Sequence, residues 1–240
     1  MVKRKQKMKL DILAIGVHPD DIELSCSGTL LSHIDQGKKV GLCDLTMGEL
    51  GTRGSGKLRL EEAEAARKIM GAEVRENLEM ADGFFQHTPE NVKKIIAVIR
   101  KYQPDIVLAN ALNDRHPDHG RAAKLTADAC YYAGLKKIET GQKEWRPQAV
   151  YHYIQDYNLV PDLVCDISSF LDKKMECIMA FKSQFYDPDD TEENTPISSK
   201  AFMDFIIAKG RGFGRHAGFE FAEGFNVGRT IGVRSLFDLK

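Results

Sequence analysis

Apolar residues recur along this chain in two alternating rhythms. Short runs rich in Ile, Val, Leu and Ala, bounded by Gly, Pro or Asp, predict buried strands at 10–17, 39–46, 74–80, 105–110, 149–154 and 163–167. Between them, apolar positions three and four apart predict helices at 21–36, 58–70, 89–102 and from the His116 region to 133. The helix at 89–102 is the clearest case: Pro89 suits its first turn, and Val92, Ile95, Ile96 and Ile99 make its apolar stripe. Further helices are expected at 170–185 and 200–209. The alternation predicts a single Rossmann-like α/β domain over residues 1–240, with a mostly parallel sheet of core order 3-2-1-4-5 flanked by helices. Residues 1–8 are basic with no apolar run behind them, and a frayed start is expected. Residues 186–218, with an acidic stretch and the glycines of Gly210-Arg211-Gly212-Phe213-Gly214, are expected to be rich in loops and to form a flap near substrate.

In that strand order the first and fourth strands are neighbours at the topological switch point, where ligands bind. Both end in unusual chemistry. The first runs into Gly16-Val17-His18-Pro19-Asp20-Asp21, the fourth into His116-Pro117-Asp118-His119. One such motif alone reads as a turn with a helix cap; two, each after a buried strand and each offering His and Asp, read as one divalent metal site. His18, Asp21 and His119 are the expected ligands, two imidazoles and a carboxylate with one position open to water. Asp20 is the expected general base. A protonated His116 is expected to stabilise an oxyanion, with Asp118 orienting its ring. Zn²⁺, one per chain, is the expected ion; Fe²⁺, manganese and cobalt suit similar N/O sites.

Composition narrows the classes. Hydrophobic content of 42% and charged content of 29% are ordinary for a globular protein, and a net charge of −1 gives no pull toward nucleic acid or an anionic membrane. The apolar runs are too short to span a bilayer. Five scattered cysteines without a CxxC pair suit reduced thiols in a cytoplasm. Two glycine patterns are decoys. Gly51–Lys57 matches most of a P-loop, but Leu58 stands where Ser or Thr must meet Mg²⁺. Gly210–Gly214 misplaces the third glycine of a dinucleotide loop and has no strand before it. A nucleotide-binding module therefore rests on one imperfect loop. His33, His87 and His152 lack companion motifs and read as structural. Tyr151, Tyr153, Phe202 and Phe205 read as core or interface residues.

The paired motifs, with Gly41–Thr46, Gly48-Glu49, Thr52-Arg53-Gly54, Asp114–Gly120, Ser183-Gln184-Phe185 and Phe221–Phe225, resemble the LmbE-like, or PIG-L, family of zinc-dependent N-acetylglucosamine deacetylases. The resemblance spans nearly the whole chain and is strongest to the bacillithiol-pathway branch, which removes acetate from N-acetylglucosaminyl malate. Val17 replaces the family's usual Ala. The resemblance implies the same ligand set, base and oxyanion helper as above, and substrate contacts from Arg53 and Arg115. It also implies a small-molecule N-acetyl sugar as substrate and a homo-oligomer, a trimer or hexamer. A hydrolase of the same fold acting on another N-acyl substrate is the alternative within the enzyme class.

Overall fold

The computed structural model describes residues 8–189 and 191–238. At its centre is β1 (Ile12–Gly16), buried along its whole length. Leu13 and Ile15 join one apolar layer with Ile95, Ile99 and Leu125, while Ile12 and Ala14 join the other with Ile22, Leu30 and Tyr153. A strand with apolar side chains on both faces must be covered on both, which is why its run is continuous rather than alternating. β2 (Val40–Asp44) and β4 (Ile106–Ala109) flank it in parallel, with Ile12 opposite both Val40 and Ile106. β3 (Val74–Asn77) and β5 (Ala149–Tyr153) continue the parallel pairing outward, giving the expected 3-2-1-4-5 core.

The helices carry the caps that their sequences supply. In α2 (Gly56–Met70), the Ser55 hydroxyl accepts from Leu58 N–H, and Gly71 closes the helix at φ 83°. In α3 (Pro89–Tyr102), Thr88 accepts from Asn91 N–H and Pro89 occupies the first turn. α3 and α4 (Pro117–Ala133) cover one face of the sheet; α1 (Asp21–Asp35) and α5 (Leu171–Met179) lie on the other. Among the described residues no helix is long and apolar enough to cross a membrane. Cys26, Cys43, Cys130, Cys165 and Cys177 are free thiols.

Two expectations are corrected. The helix expected over 170–185 ends at Met179, and Phe181 and Phe185 are buried in turns beyond it. The Glu62 carboxylate of α2 accepts from both Ser183 N–H and its hydroxyl, holding that turn out of helix. The flap expected around Gly210–Gly214 is instead the second half of α6 (Lys200–Ala217). Gly214 is needed there for close approach, since a Cβ on it would stand 2.6 Å from the Phe219 carbonyl oxygen. The pattern also hid β7 (Ala222–Val227), which pairs antiparallel with both β5 and β6 (Leu163–Asp166) and completes the order β3-β2-β1-β4-β5-β7-β6. Its alternation is broken by Gly224 and by buried Glu223, whose carboxylate accepts from Gly28 N–H, Thr29 N–H and Lys174 Nζ.

Candidate active site

The two motifs are two helix starts at the ends of adjacent central strands. After β1, the chain turns through His18 and Pro19 into α1, with Asp20 as the residue before the helix at φ 119°, ψ −26°. A non-glycine residue held there carries strain of about 1–3 kcal/mol, a feature that clusters at functional sites. Arg59 of α2 holds the turn: its Nη2 donates to Asp20 Oδ2 at 2.6 Å and to the Pro19 carbonyl at 2.5 Å. Gly48 makes room for it. A Cβ on Gly48 would lie 2.2 Å from Arg59 Nη1, and its φ of +67° also favours glycine. After β4, Asn110 Nδ2 donates to Asp21 Oδ2 at 3.0 Å. His116 then caps α4, its Nδ1 accepting from Asp118 N–H at 3.3 Å.

Three imidazoles converge. Ring centroids are 4.8 Å apart for His18 and His116, 5.1 Å for His116 and His119, and 5.7 Å for His18 and His119. The ligand atoms of these three histidines lie within 4.8 Å of one another, as do those of His18, Asp82 and Asp118. Each expected ligand ring has its far nitrogen tied to a carboxylate: His18 Nε2 to Asp82 Oδ1 at 3.0 Å, and His119 Nδ1 to Asp114 Oδ2 at 2.5 Å. That leaves both near nitrogens facing Asp21. His119 Nε2 is 3.1 Å from Oδ1, and His18 Nδ1 is 3.8 Å from Oδ2. Asp21 Oδ2 already accepts from Val17 N–H, His18 N–H and Asn110, whereas Oδ1 accepts from Gln155 Nε2 and faces His119 Nε2. A carboxylate behind each imidazole sets its tautomer and raises its basicity, the arrangement of metal-ligating histidine. The donor set His18, Asp21 and His119 fits a divalent cation.

The charges agree with that fit. Burial opposes a proton on His18, but hydrogen bonds to Asp21 and Asp82 and their charges overcome it and push the pKa up to about 10. Burial likewise opposes charge on His119, and Asp21 and Asp114 raise it to about 9. Burial works against the Asp21 carboxylate too, yet the charges of and hydrogen bonds to His119 and His18 hold it well below the usual range. The cluster wants positive charge between its carboxylates. Asp20 differs. Burial raises it to about 7, with Arg59 opposing and the charge of Asp21 assisting.

His18, Asp20, Asp21, Arg115, His116 and His119 all line one cavity of about 340 Å³. Burial, then the charges of His18 and His119, lower the pKa of His116, which works against the expected imidazolium, and its Nδ1 accepts from Asp118 N–H. The Asp118 carboxylate does not touch His116; it accepts from Gly83 N–H and Arg121, and only its backbone N–H meets the ring. Arg53 does not line the cavity. Its Nε donates to the Glu193 carbonyl at 2.7 Å and Nη2 to the Glu192 carbonyl at 3.3 Å, so it clamps that loop while Gly51 and Thr52 face the cavity. Phe202 packs against the Phe181 and Phe185 core cluster as expected, and both it and Phe205 also form part of the cavity wall. Arg115 is engaged by Asp156. His152 is structural as expected, buried with Nδ1 against the Asn110 carbonyl at 2.8 Å.

Reading the sequence missed Arg59, Asp82, Asp114 and Gln155. Asp114 lies within the second motif stretch, five residues before His119. Gln155 follows β5, the strand next to β4, and its Oε1 accepts from Asn110 while Nε2 reaches Asp21. Arg59 and Asp82 stand in segments with no motif, so only the fold brings them in.

A family model described as "PIG-L: GlcNAc-PI de-N-acetylase" matches residues 13–130. The diacetylchitobiose deacetylase of Thermococcus kodakarensis is 30% identical over 89% of this chain and 81% of its own length. A Bacillus cereus protein named "Probable N-acetyl-alpha-D-glucosaminyl L-malate deacetylase 2" is 27% identical over 74% of this chain and 84% of its own. The crystal structure of the conserved protein TT1542 from Thermus thermophilus superposes with a TM-score of 0.84 at 32% identity, covering 94% of this chain and 98% of that one. The relatedness runs through both strand-end motifs and well beyond them, and the chain belongs to the PIG-L, or LmbE-like, deacetylase family.

Proposed function

We propose that this chain is a divalent-metal-dependent hydrolase that removes the acetyl group from an N-acetylglucosamine conjugate, N-acetylglucosaminyl malate or a close analogue. Family membership supports the reaction class, and the names of the Thermococcus and Bacillus relatives support an N-acetylated glucosamine unit as substrate. The observation that carries the reading is the pair of near nitrogens, His18 Nδ1 and His119 Nε2, facing Asp21 with a carboxylate behind each ring.

His18, Asp21 and His119 would hold the ion, with Zn²⁺ the proposed metal. A bound divalent cation supplies Lewis acidity and lowers the pKa of water toward about 7. Asp20, lining the cavity beside the ligands, takes a proton from the water that attacks the acetamide carbonyl. His116, neutral with its proton on Nε2, donates to the oxygen that becomes negative in the tetrahedral adduct. Asp20 passes its proton to the departing nitrogen, the C–N bond breaks, and acetate and the free amine leave. Arg59 acts through Asp20, holding the carboxylate in place with a 2.6 Å hydrogen bond.

Acetate release tests the reading. Purified protein is incubated with N-acetylglucosaminyl malate, N,N′-diacetylchitobiose and a simple N-acetylated amine, with and without chelator. Chelator-sensitive acetate release from at least one sugar conjugate is expected. Turnover that survives complete metal removal, or none on either sugar with metal restored, refutes it.

A further inference from the structure

α6 contributes Phe205, Lys209 and Phe213 to the cavity lining, four residues apart and so on one helix face. Lys209 Nζ donates to the Ile154 carbonyl at 3.0 Å. It also stands 5.9 Å from the Phe205 ring centroid and 5.8 Å from that of Phe213. An ammonium has three donors, and one carbonyl takes one. The acidic groups near it are already engaged elsewhere: Asp156 with Arg115, Asp114 with His119, and Glu223 with Lys174. Among the described residues no carboxylate forms an ion pair with Lys209. A half-buried cation without an anionic partner is costly to keep, and in a ligand cavity it marks a place where the ligand supplies the anion. Burial, with the charge of Lys174, lowers its pKa to about 8, the direction expected of an ammonium waiting for a counter-charge.

We propose that Lys209 binds a carboxylate on the group attached to the sugar and makes the cavity selective for acidic N-acetylglucosamine conjugates over neutral ones. This rests on the deacetylase reading above and assigns a specificity residue to it. A carboxylate fits better than a phosphate. Lys209 is a single ammonium, and Asp114, Asp156 and Glu223 are each paired with another side chain, so the site offers one uncompensated positive charge, which one carboxylate balances. Arg115, which lines the same cavity, already has Asp156 as its anionic partner, whereas among the described residues Lys209 has none.

Lys209→Met keeps the length and apolar contact of the side chain; Lys209→Arg keeps its charge. Kinetics on N-acetylglucosaminyl malate and on methyl N-acetylglucosaminide give a selectivity ratio, kcat/KM for the acidic over the neutral substrate. Lys209→Met is expected to lower that ratio about 10- to 100-fold, the size of one charge-assisted hydrogen bond, with the loss in KM and partial recovery in Lys209→Arg. A ratio within twofold of wild type overturns the proposal. Calorimetric titration with L-malate and, separately, inorganic phosphate needs no turnover. L-malate is expected to bind wild type at least about tenfold tighter than Lys209→Met, and phosphate to show no such difference. Equal L-malate affinity overturns the proposal, and a Lys209-dependent phosphate affinity overturns the choice of carboxylate. If neither sugar is deacetylated the proposed function fails, and the L-malate titration still decides Lys209.

Discussion

Asp114→Asn is a one-atom change whose consequence can be worked out from hydrogen bonds. The carboxylate uses Oδ1 for Asp156 N–H and Tyr157 N–H, both at 2.9 Å, and Oδ2 for His119 Nδ1 at 2.5 Å. An asparagine has one acceptor oxygen and one NH₂. Keeping the two backbone bonds puts the oxygen where Oδ1 was and turns the NH₂ toward His119. Nδ1 must then accept, so the ring's proton moves to Nε2, the nitrogen that faces Asp21. A protonated Nε2 cannot ligate. Turning the amide the other way restores the histidine tautomer but sets an NH₂ against the N–H donors of Asp156 and Tyr157. Either choice costs the site a properly oriented ligand, and changes of this kind cost about 10- to 100-fold in metal affinity, or about 1.4–2.7 kcal/mol. Competition of wild type and Asp114→Asn against a chromophoric zinc chelator reads the loss directly, with a melting curve to show that the fold survives. An affinity within twofold of wild type would refute the claim that Asp114 sets the His119 tautomer for a metal.

Replacing Asp20 with Asn is expected to cut deacetylation about 10²- to 10⁴-fold while zinc content stays at the wild-type level, because the base is lost and the ligands are not; undiminished turnover removes Asp20 from the chemistry. Arg75 is buried between Asp44 and Glu23, with bonds of 2.7 Å and 2.6 Å. Arg75→Met leaves two buried carboxylates without their cation, and urea unfolding at pH 7 is expected to show a loss of about 3–5 kcal/mol; a loss below about 1 kcal/mol would contradict the ion-pair reading of that cluster. Lys209 carries a desolvation penalty that Lys209→Met escapes, and the pH dependence has a definite sign. Its pKa of about 8 in the fold lies below the ordinary 10.5, so the penalty is complete below pH 8 and fades as pH rises toward 10.5. The stability advantage of Lys209→Met, read from unfolding curves between pH 6 and about 10.5, should therefore shrink with rising pH; a flat or widening difference would exclude it.

The parts of this fold that sequence revealed are those where local pattern and tertiary demand agree. Leu13 and Ile15 on one face and Ile12 and Ala14 on the other make β1 recognisable as a doubly covered strand. Pro89 and the stripe from Val92 to Ile99 mark α3 in the same way. From strand order alone, the neighbouring ends of β1 and β4 could be joined into one site, and the fold brings His18, Asp21 and His119 together there. Pattern failed where a tertiary contact overrode local preference. The glycines of α6 look like a mobile loop until Phe219 is seen packed against Gly214. Glu223 and Gly224 hide β7 because the carboxylate serves Lys174 and the α1 backbone rather than solvent. The resemblance implied a substrate contact from Arg53; here the Glu192 and Glu193 carbonyls accept from its guanidinium. Asp82 and Arg59 carry no local signal, since each acts through a partner on a distant element.

The proposed chemistry turns on where the cation sits, and His18 offers two sides. Anomalous diffraction from zinc-reconstituted crystals, collected across the zinc edge, distinguishes them. One peak per chain, about 2.0–2.2 Å from His18 Nδ1, a carboxylate oxygen of Asp21 and His119 Nε2, is the predicted result. A peak on the Nε2 side of His18, between Asp82 and Asp118, or no peak near His18 at all, would contradict it.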